Sequence, residues 1–267
     1  MPGEDVKHCW DTTIQETEDG WLQGPFTLDE AWEKGARILL TRFAHHEADK
    51  IRLCDNGVPL NVCSDISSSM PIPSVHHALA LASSSAILLE EGGPPRWVID
   101  IANAYKNVSI SKAGSATNWI GVFDPKAKAY KAFRGLTLLF GNIHSVTEWL
   151  IVGQFLAFCV RWFFCVALII YIDDMTGTAP RRVRRLLMRA IVYMLEVLGF
   201  PWKPKKVKWG RTALRVLGLD FDVSQSPPTM QLSEVKRATL RAALVEVLGA
   251  GELSPARAST LSGKFLF

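Results

Sequence analysis

Three aspartates beside apolar segments are the residues of this sequence best suited to chemistry. The apolar run 149–172 ends directly at Asp173 and Asp174, and its last part, near 163–171, has the β-branched and aromatic composition of a buried strand. Asp100 lies on a second short apolar strand, 96–101. Burying a carboxylate is costly unless it is paired or binds a cation. If the two strands are neighbours in one sheet, Asp100 and Asp173 can face each other.

Facing carboxylates of this kind could hold two Mg²⁺ ions about 3.5–4 Å apart, the spacing that two-metal phosphoryl transfer requires. Magnesium suits such a site because it takes hard oxygen ligands and leaves room for substrate phosphates. A turn or a helix cap is the better explanation for an isolated Asp-Asp pair. The buried strand before Asp173 and the second acid upstream favour the metal site instead.

The elements that must position these acids follow from hydrophobic periodicity and turn residues. We expect helices at 27–48, with Thr27 as a cap, and at 74–91, 181–198 and 232–248. Two strand-like runs within 117–133 flank Asp124-Pro125, which indicates a hairpin. Strands and helices alternate irregularly along the chain, and the sequence therefore predicts an α+β fold.

The apolar run 149–172 is long enough for a membrane span, which needs about 20 apolar residues. Arg161 lies in the middle of the run, however, where a charge is costly in lipid. A buried helix up to about Val160, followed by the strand near 163–171, explains the run better. We therefore expect two buried elements and no membrane, and a span is the alternative.

Composition indicates an ordered protein of 267 residues with a local excess of positive charge. Hydrophobic residues make up 48% and charged residues 21%, which excludes a disordered chain. Five cysteines without a regular framework indicate a reducing, intracellular compartment. The net charge is only +4, yet residues 181–215 contain eleven Lys/Arg and one acid. Such a stretch is typical of nucleic-acid binding and equally of a solvated helix face.

The segments that carry the acids resemble two sequence boxes of reverse transcriptases. Tyr171–Asp174 resembles the Tyr-x-Asp-Asp box, and Asp100–Tyr105 resembles the upstream Asp-x-x-x-Ala-Tyr box. Weaker matches follow in the family's order: Lys50–Arg52 with Asp55 and Asn61 for the fingers segment, Arg134–Gly141 with Trp149 for the Leu-Pro-Phe-Gly box, Leu198–Phe200 with Lys203, Lys205 and Lys206 for the lysine loop, and Leu217–Leu219 for the primer grip. Gly20–Pro25 and Leu261–Phe265 resemble polymerases of tyrosine-recombinase-type retrotransposons.

This resemblance implies a right-hand polymerase whose palm is an antiparallel sheet backed by helices. It implies fingers at 1–95, with a further fingers hairpin at 113–136. It places the palm at 96–112, which holds the first aspartate strand, and at 137–224, which holds the Tyr-Ile-Asp-Asp hairpin. Residues 225–267 would be a partial, truncated thumb or connection.

The resemblance also implies RNA-templated DNA synthesis from an RNA template, a DNA primer and deoxynucleoside triphosphates. Asp100, Asp173 and Asp174 would be the catalytic residues and the ligands of two Mg²⁺ ions, with Mn²⁺ as a substitute. The residues that it implies for substrate binding are Lys50, Arg52, Tyr105, Gly141 and Lys205.

Two departures from the family pattern keep other functions open. Leu139 stands where the family has a proline that fixes the turn, and the chain ends at Phe267. An inactive, nucleic-acid-binding remnant of a retroelement is therefore the alternative. A palm-fold cyclase is a weaker one, because it would need a Gly-Gly-carboxylate turn where Tyr171 and Ile172 stand.

Overall fold

Residues 3–46, 50–65, 77, 80, 96–179, 182–211, 213–216, 219–222 and 229–266 are described by a computed structural model. The helices are α1 Gly3–Glu18, α2 Leu28–Glu33, α3 Val58–Val62, α4 Ile143–Phe164, α5 Arg184–Val197, α6 Glu234–Ala250 and α7 Pro255–Leu266. The strands are β1 Leu22–Phe26, β2 Leu40–His46, β3 Ile51–Asp55, β4 Arg96–Asp100, β5 Trp119–Asp124, β6 Ala129–Gly135, β7 Leu168–Tyr171, β8 Asp174–Thr178, β9 Lys208–Arg211, β10 Ala213–Val216, β11 Leu219–Asp222 and β12 Thr229–Leu232. Nearly all of the predicted helix 74–91, and residues 217 and 218 of the predicted primer grip, lie outside the described residues.

A four-stranded antiparallel sheet, ordered β7-β8-β4-β9, carries the three aspartates. Its core is shared with α4 and α5, whose apolar faces pack together against the strands. The largest buried side chains there include Trp97 and Ile99 of β4, Trp149 and Leu156 of α4, and Ile191 of α5. The helix predicted at 181–198 is observed as α5, with Leu187, Ile191 and Leu195 buried and Val183, Leu186 and Leu198 exposed.

A five-stranded sheet, ordered β1-β6-β5-β2-β3, forms a second layer, and helix α1 packs against it. Its β2–β5 pair is parallel and its other pairs are antiparallel. Cys9 of α1 meets Leu40, Ile120 and Phe133 of the strands in the core beneath the helix. The predicted hairpin around Asp124 is confirmed as β5–β6 of this sheet.

A three-stranded antiparallel sheet, β10-β11-β12, precedes the last two helices. Helix α6 begins after Ser233, whose hydroxyl accepts a hydrogen bond from the backbone N–H of Lys236 at 3.3 Å. This is the usual cap of a helix N-terminus. The predicted helix at 232–248 is thus confirmed within two residues.

The apolar run 149–172 forms two elements, as the sequence predicts. The predicted boundary is wrong, however: helix α4 continues past Val160 to Phe164, and strand β7 begins only at Leu168. The helix is long and apolar enough to cross a bilayer, yet Trp149, Leu156 and Val160 are buried in the sheet core. Its other face leaves large apolar side chains exposed, namely Ile151, Phe155, Phe158, Trp162 and Phe163.

The prediction of one helix over 27–48 is wrong. Thr27 does cap a helix: its hydroxyl accepts a hydrogen bond from the N–H of Glu30, and the Glu30 carboxylate accepts one from the N–H of Thr27. That helix ends at Glu33, and Gly35 adopts a φ of +89°, which favours glycine and turns the chain. The chain then forms strand β2, which pairs with β3 and β5.

Candidate active site

The three aspartates lie at the same end of the four-stranded sheet. Strands β4 and β8 are antiparallel neighbours, and their register pairs Asp100 with Asp174. Directly paired residues of antiparallel strands project from the same face of the sheet. Asp173 lies in the two-residue turn between β7 and β8, and its carbonyl oxygen accepts a hydrogen bond from the N–H of Ile101 at 2.9 Å. The predicted neighbours are therefore correct, but Asp174, and not Asp173, is directly opposite Asp100.

A side chain of helix α4 anchors the turn that carries Asp173. Ile172 has a φ of 52°, in the left-handed region that a β-branched residue rarely adopts. The indole N–H of Trp149 donates a hydrogen bond to the carbonyl oxygen of Ile172 at 2.7 Å. Trp149 is fully buried, so its indole is a fixed donor. The contact anchors the turn in its uncommon conformation.

Asp100 is the most buried of the three acids, at 4% exposure, and it has a cationic partner. The ammonium Nζ of Lys203 lies 2.7 Å from its Oδ1. Within the described residues, no three or more His, Cys, Asp and Glu side chains are grouped to hold a metal ion. The acids nevertheless supply hard oxygen donors, and Asp100 already binds a positive charge. By donor type they fit Mg²⁺.

Tyr105 lies beside the acids, in a 3₁₀ helix at Ala104–Asn107 that follows β4. Burial, and then the negative charge of Asp173, raises the pKa of its hydroxyl above the ordinary value. The ring meets the edge of Phe140 with centroids 4.9 Å apart and planes at 85°. The two aromatic rings, one half-buried and one exposed, therefore form a wall next to Asp173.

The turn after Phe140 is hydrogen-bonded to, and closely packed against, the segment that follows β3. The side chain of Asn61 donates to the carbonyl oxygen of Gly141 at 2.8 Å and accepts from the N–H of Ile143 at 3.0 Å. Gly141 has a φ of +82°, and a Cβ on it would lie 2.0 Å from the carbonyl oxygen of Asp55. A Cβ on Gly57 would lie 1.9 Å from the carbonyl oxygen of Gly141. Two backbones thus approach each other where only glycine fits.

The other predicted substrate-binding residues are exposed. Lys50 and Arg52 are exposed at β3, the edge strand of the five-stranded sheet. Lys205 is exposed in the 3₁₀ turn Pro204–Lys206, two residues after Lys203. The described arginines of the basic stretch include Arg182, Arg185 and Arg189, which are exposed. Their exposure agrees with nucleic-acid binding and with a solvated helix face alike.

A buried network of charges, absent from the sequence predictions, ties α1 to the loop of Tyr105. Arg42 of β2 contacts Asp55 with Nε 2.7 Å from Oδ1, and it contacts Glu16 of α1 with NH1 2.7 Å from Oε2. The ammonium of Lys106 lies 3.3 Å from the same Glu16 oxygen. Burial raises the pKa of Glu16, but Arg42 and Lys106 outweigh it and lower the pKa overall. The signal in the sequence is an arginine at an inward position of β2, between buried Leu40 and half-buried Ala44.

No protein-family model matches the chain, and no curated protein matches it. Among solved structures, the chain is similar to a foamy viral protease-reverse transcriptase dRH in complex with double-stranded DNA. The TM-score is 0.66 and the identity 14%, over 94% of this chain and 38% of that chain. The chain thus spans well under half the length of the viral protein. At this identity the likeness concerns the fold alone, and the chain has a mixed α+β fold of the reverse-transcriptase type.

Proposed function

We propose that the chain is the polymerase core of a reverse transcriptase, which synthesises DNA on an RNA template. One observation carries the proposal: the register of β4 and β8 brings Asp100 opposite Asp174, with Asp173 in the adjoining turn. The sequence pattern alone already points to the same three acids. The fold that the chain shares with a reverse transcriptase is a second, weaker support. It is weaker because a fold alone does not determine function.

In this proposal the four-stranded sheet with α4 and α5 is the palm, within 96–112 and 137–224. The five-stranded sheet with α1 belongs to the fingers, within 1–95 and 113–136. Residues 225–267 form part of a thumb. The double-stranded DNA bound by the foamy viral protein suggests that the palm face of this chain also receives a duplex.

Asp100 and Asp173 would hold two metal ions, Mg²⁺ or Mn²⁺, and Asp174 would support them. The chemistry that the bound ions supply is activation of the primer 3′-hydroxyl and neutralisation of the leaving pyrophosphate. The chain's own part is to fix the carboxylates on two paired strands. Trp149 keeps the turn of Asp173 in place through the carbonyl of Ile172.

The wall of Tyr105 and Phe140 would pack against the sugar of the incoming deoxynucleotide. Gly141, held by Asn61, would place its backbone along the base or the primer end. Lys50, Arg52 and Lys205 would bind the triphosphate after the fingers and palm close on the substrate. Such closure is common in polymerising and phosphoryl-transfer enzymes and excludes water from the reacting atoms.

Primer extension on an RNA template with Mg²⁺ tests the proposal. The wild-type chain should add deoxynucleotides, and the Asp173→Asn/Asp174→Asn double variant should add none while binding primer–template as before. Asp124→Asn is the matched control, because Asp124 lies in the β5–β6 turn of the other sheet. A folded wild-type chain that binds duplex and adds no nucleotide would support the inactive remnant instead.

A further inference from the structure

We propose that Lys203 is a built-in counter-ion of Asp100, which occupies the position of a divalent cation and must be displaced before a metal binds. The inference rests on the proposed function, because it concerns the same carboxylate. It assigns to Lys203 the control of metal affinity at the site. The ammonium lies 2.7 Å from Asp100 Oδ1, which is the distance of a close ion pair.

The backbone holds Lys203 at this place. The N–H of Lys203 donates to the carbonyl oxygen of Asp100 at 3.1 Å, and the N–H of Ala102 donates to Pro201 at 2.8 Å. Ile101 and Trp202 form a bridge between these two bonds. The segment 201–203 therefore runs as a short antiparallel partner of the end of β4. Main-chain pairing therefore places the backbone of Lys203 directly opposite Asp100.

The same segment is anchored to the end of helix α5. The indole N–H of Trp202 donates to the Glu196 carboxylate at 3.1 Å, and the N–H of Phe200 donates to the carbonyl oxygen of Leu195 at 2.8 Å. Phe200 and Trp202 also pack against the core of the four-stranded sheet. The backbone of Lys203 is therefore held in a fixed position. An exposed ion pair between two mobile side chains would contribute little.

The burial of Asp100 explains why its carboxylate needs a cation. The Asp100 side chain is 5% exposed and that of Lys203 is 39% exposed. A buried carboxylate without a cation is strongly unfavourable, so the ammonium stabilises the metal-free fold. A divalent cation at the same oxygen would meet the positive charge of the ammonium at close range, and the two repel each other. Because the lysine side chain is long and partly exposed, it can swing out into solvent when a metal arrives.

The test measures Mn²⁺ binding to the full chain without nucleic acid, by the electron paramagnetic resonance signal of free Mn²⁺. Lys203→Met should bind Mn²⁺ about threefold or more tightly than wild type, because the competing charge is gone. Lys203→Arg should resemble wild type. Arg189→Met removes one exposed positive charge from the same basic stretch and should leave the affinity unchanged. Lys203→Met with Asp100→Asn should lose the gain.

A second measurement uses thermal unfolding without metal and with Mn²⁺. Lys203→Met should unfold at a lower temperature than wild type without metal, and Mn²⁺ should raise its midpoint more than that of wild type. If Lys203→Met is unfolded without metal, Mn²⁺ should restore the circular dichroism signal of the folded chain. Failure of Mn²⁺ to restore that signal overturns the proposal. Equal or weaker Mn²⁺ binding by the folded variant also overturns it. An inactive polymerase with the Mn²⁺ effect intact would refute the proposed function alone.

Discussion

Replacing Gly57 by alanine tests whether the segment after β3 positions the turn of Gly141. Gly57 has a φ of −78° and a ψ of −6°, which alanine adopts without strain. Any effect of the substitution must therefore come from the new methyl group. That group would lie 1.9 Å from the carbonyl oxygen of Gly141 and 2.4 Å from its carbonyl carbon. Both are backbone atoms, which cannot rotate away.

The displacement follows from these distances. Carbon and oxygen atoms do not approach closer than about 3.0 Å, so the two backbones must separate by about 1 Å. The separation stretches the hydrogen bonds of Asn61 to Gly141 and Ile143, which are 2.8 and 3.0 Å long. Overpacking of this kind costs about 1–3 kcal/mol of stability. If the turn of Gly141 positions substrate as proposed, a shift of about 1 Å there costs about 100-fold in rate.

Single-nucleotide incorporation on a primed RNA template measures the rate, and urea unfolding measures the stability. Gly249→Ala is the control, since a Cβ at Gly249 on helix α6 meets no atom within 4 Å. We expect Gly57→Ala to incorporate about 100-fold more slowly and Gly249→Ala to match wild type. Wild-type rate and stability in Gly57→Ala would refute the close approach and, with it, the positioning role.

Three further substitutions test the surroundings of the acids. Trp149→Phe keeps an aromatic side chain but removes the hydrogen bond to Ile172 and leaves some buried space unfilled, so unfolding in urea should show a loss of about 1–3 kcal/mol and extension should slow; unchanged extension would count against the anchor. Tyr105→Ala should admit ribonucleotides in a misincorporation assay, whereas equal rejection by both proteins would make Tyr105 a core aromatic. The lowered pKa of Glu16 means that its stabilisation is present above its ordinary pKa of 4.5 and is lost as pH falls below it. Glu16→Gln should therefore lower the unfolding free energy at pH 7 and flatten its decline between pH 4.5 and more acidic conditions, and an identical decline would rule out the ion pair with Arg42.

The acids could be predicted from the sequence because each follows a short apolar strand. A carboxylate in such a place has few purely structural roles, so Asp100 and the Asp173-Asp174 pair stand out without knowledge of the fold. The division of the apolar run 149–172 could be predicted as well, since a charge at Arg161 is incompatible with the middle of a span. The exact pairing of Asp100 with Asp174 depends on the length of the turn, which the pattern does not set.

The contacts that position the acids could not be predicted, because they join residues far apart in sequence. Nothing near Lys203 indicates that its ammonium reaches Asp100, and nothing near Arg42 indicates that two acids surround it. The helix predicted over 27–48 failed for a local reason. Its apolar spacing fits a helix up to Ala36, but the positive φ of Gly35 and the pairing of β2 with its neighbours override that spacing.

The hydrogen bond of Asn61 to Gly141 and the charge network around Glu16 both close very long loops. Asn61 is 80 residues from Gly141, and Glu16 is 90 residues from Lys106. Closing such loops consumes chain entropy before any contact forms, and it slows folding. The turn of Gly141 and the loop of Tyr105 therefore have no local nucleus. On a growing polypeptide, helix α1 and the segment after β3 must wait for residues made much later, so these two loops are among the last parts of the molecule to acquire their shape.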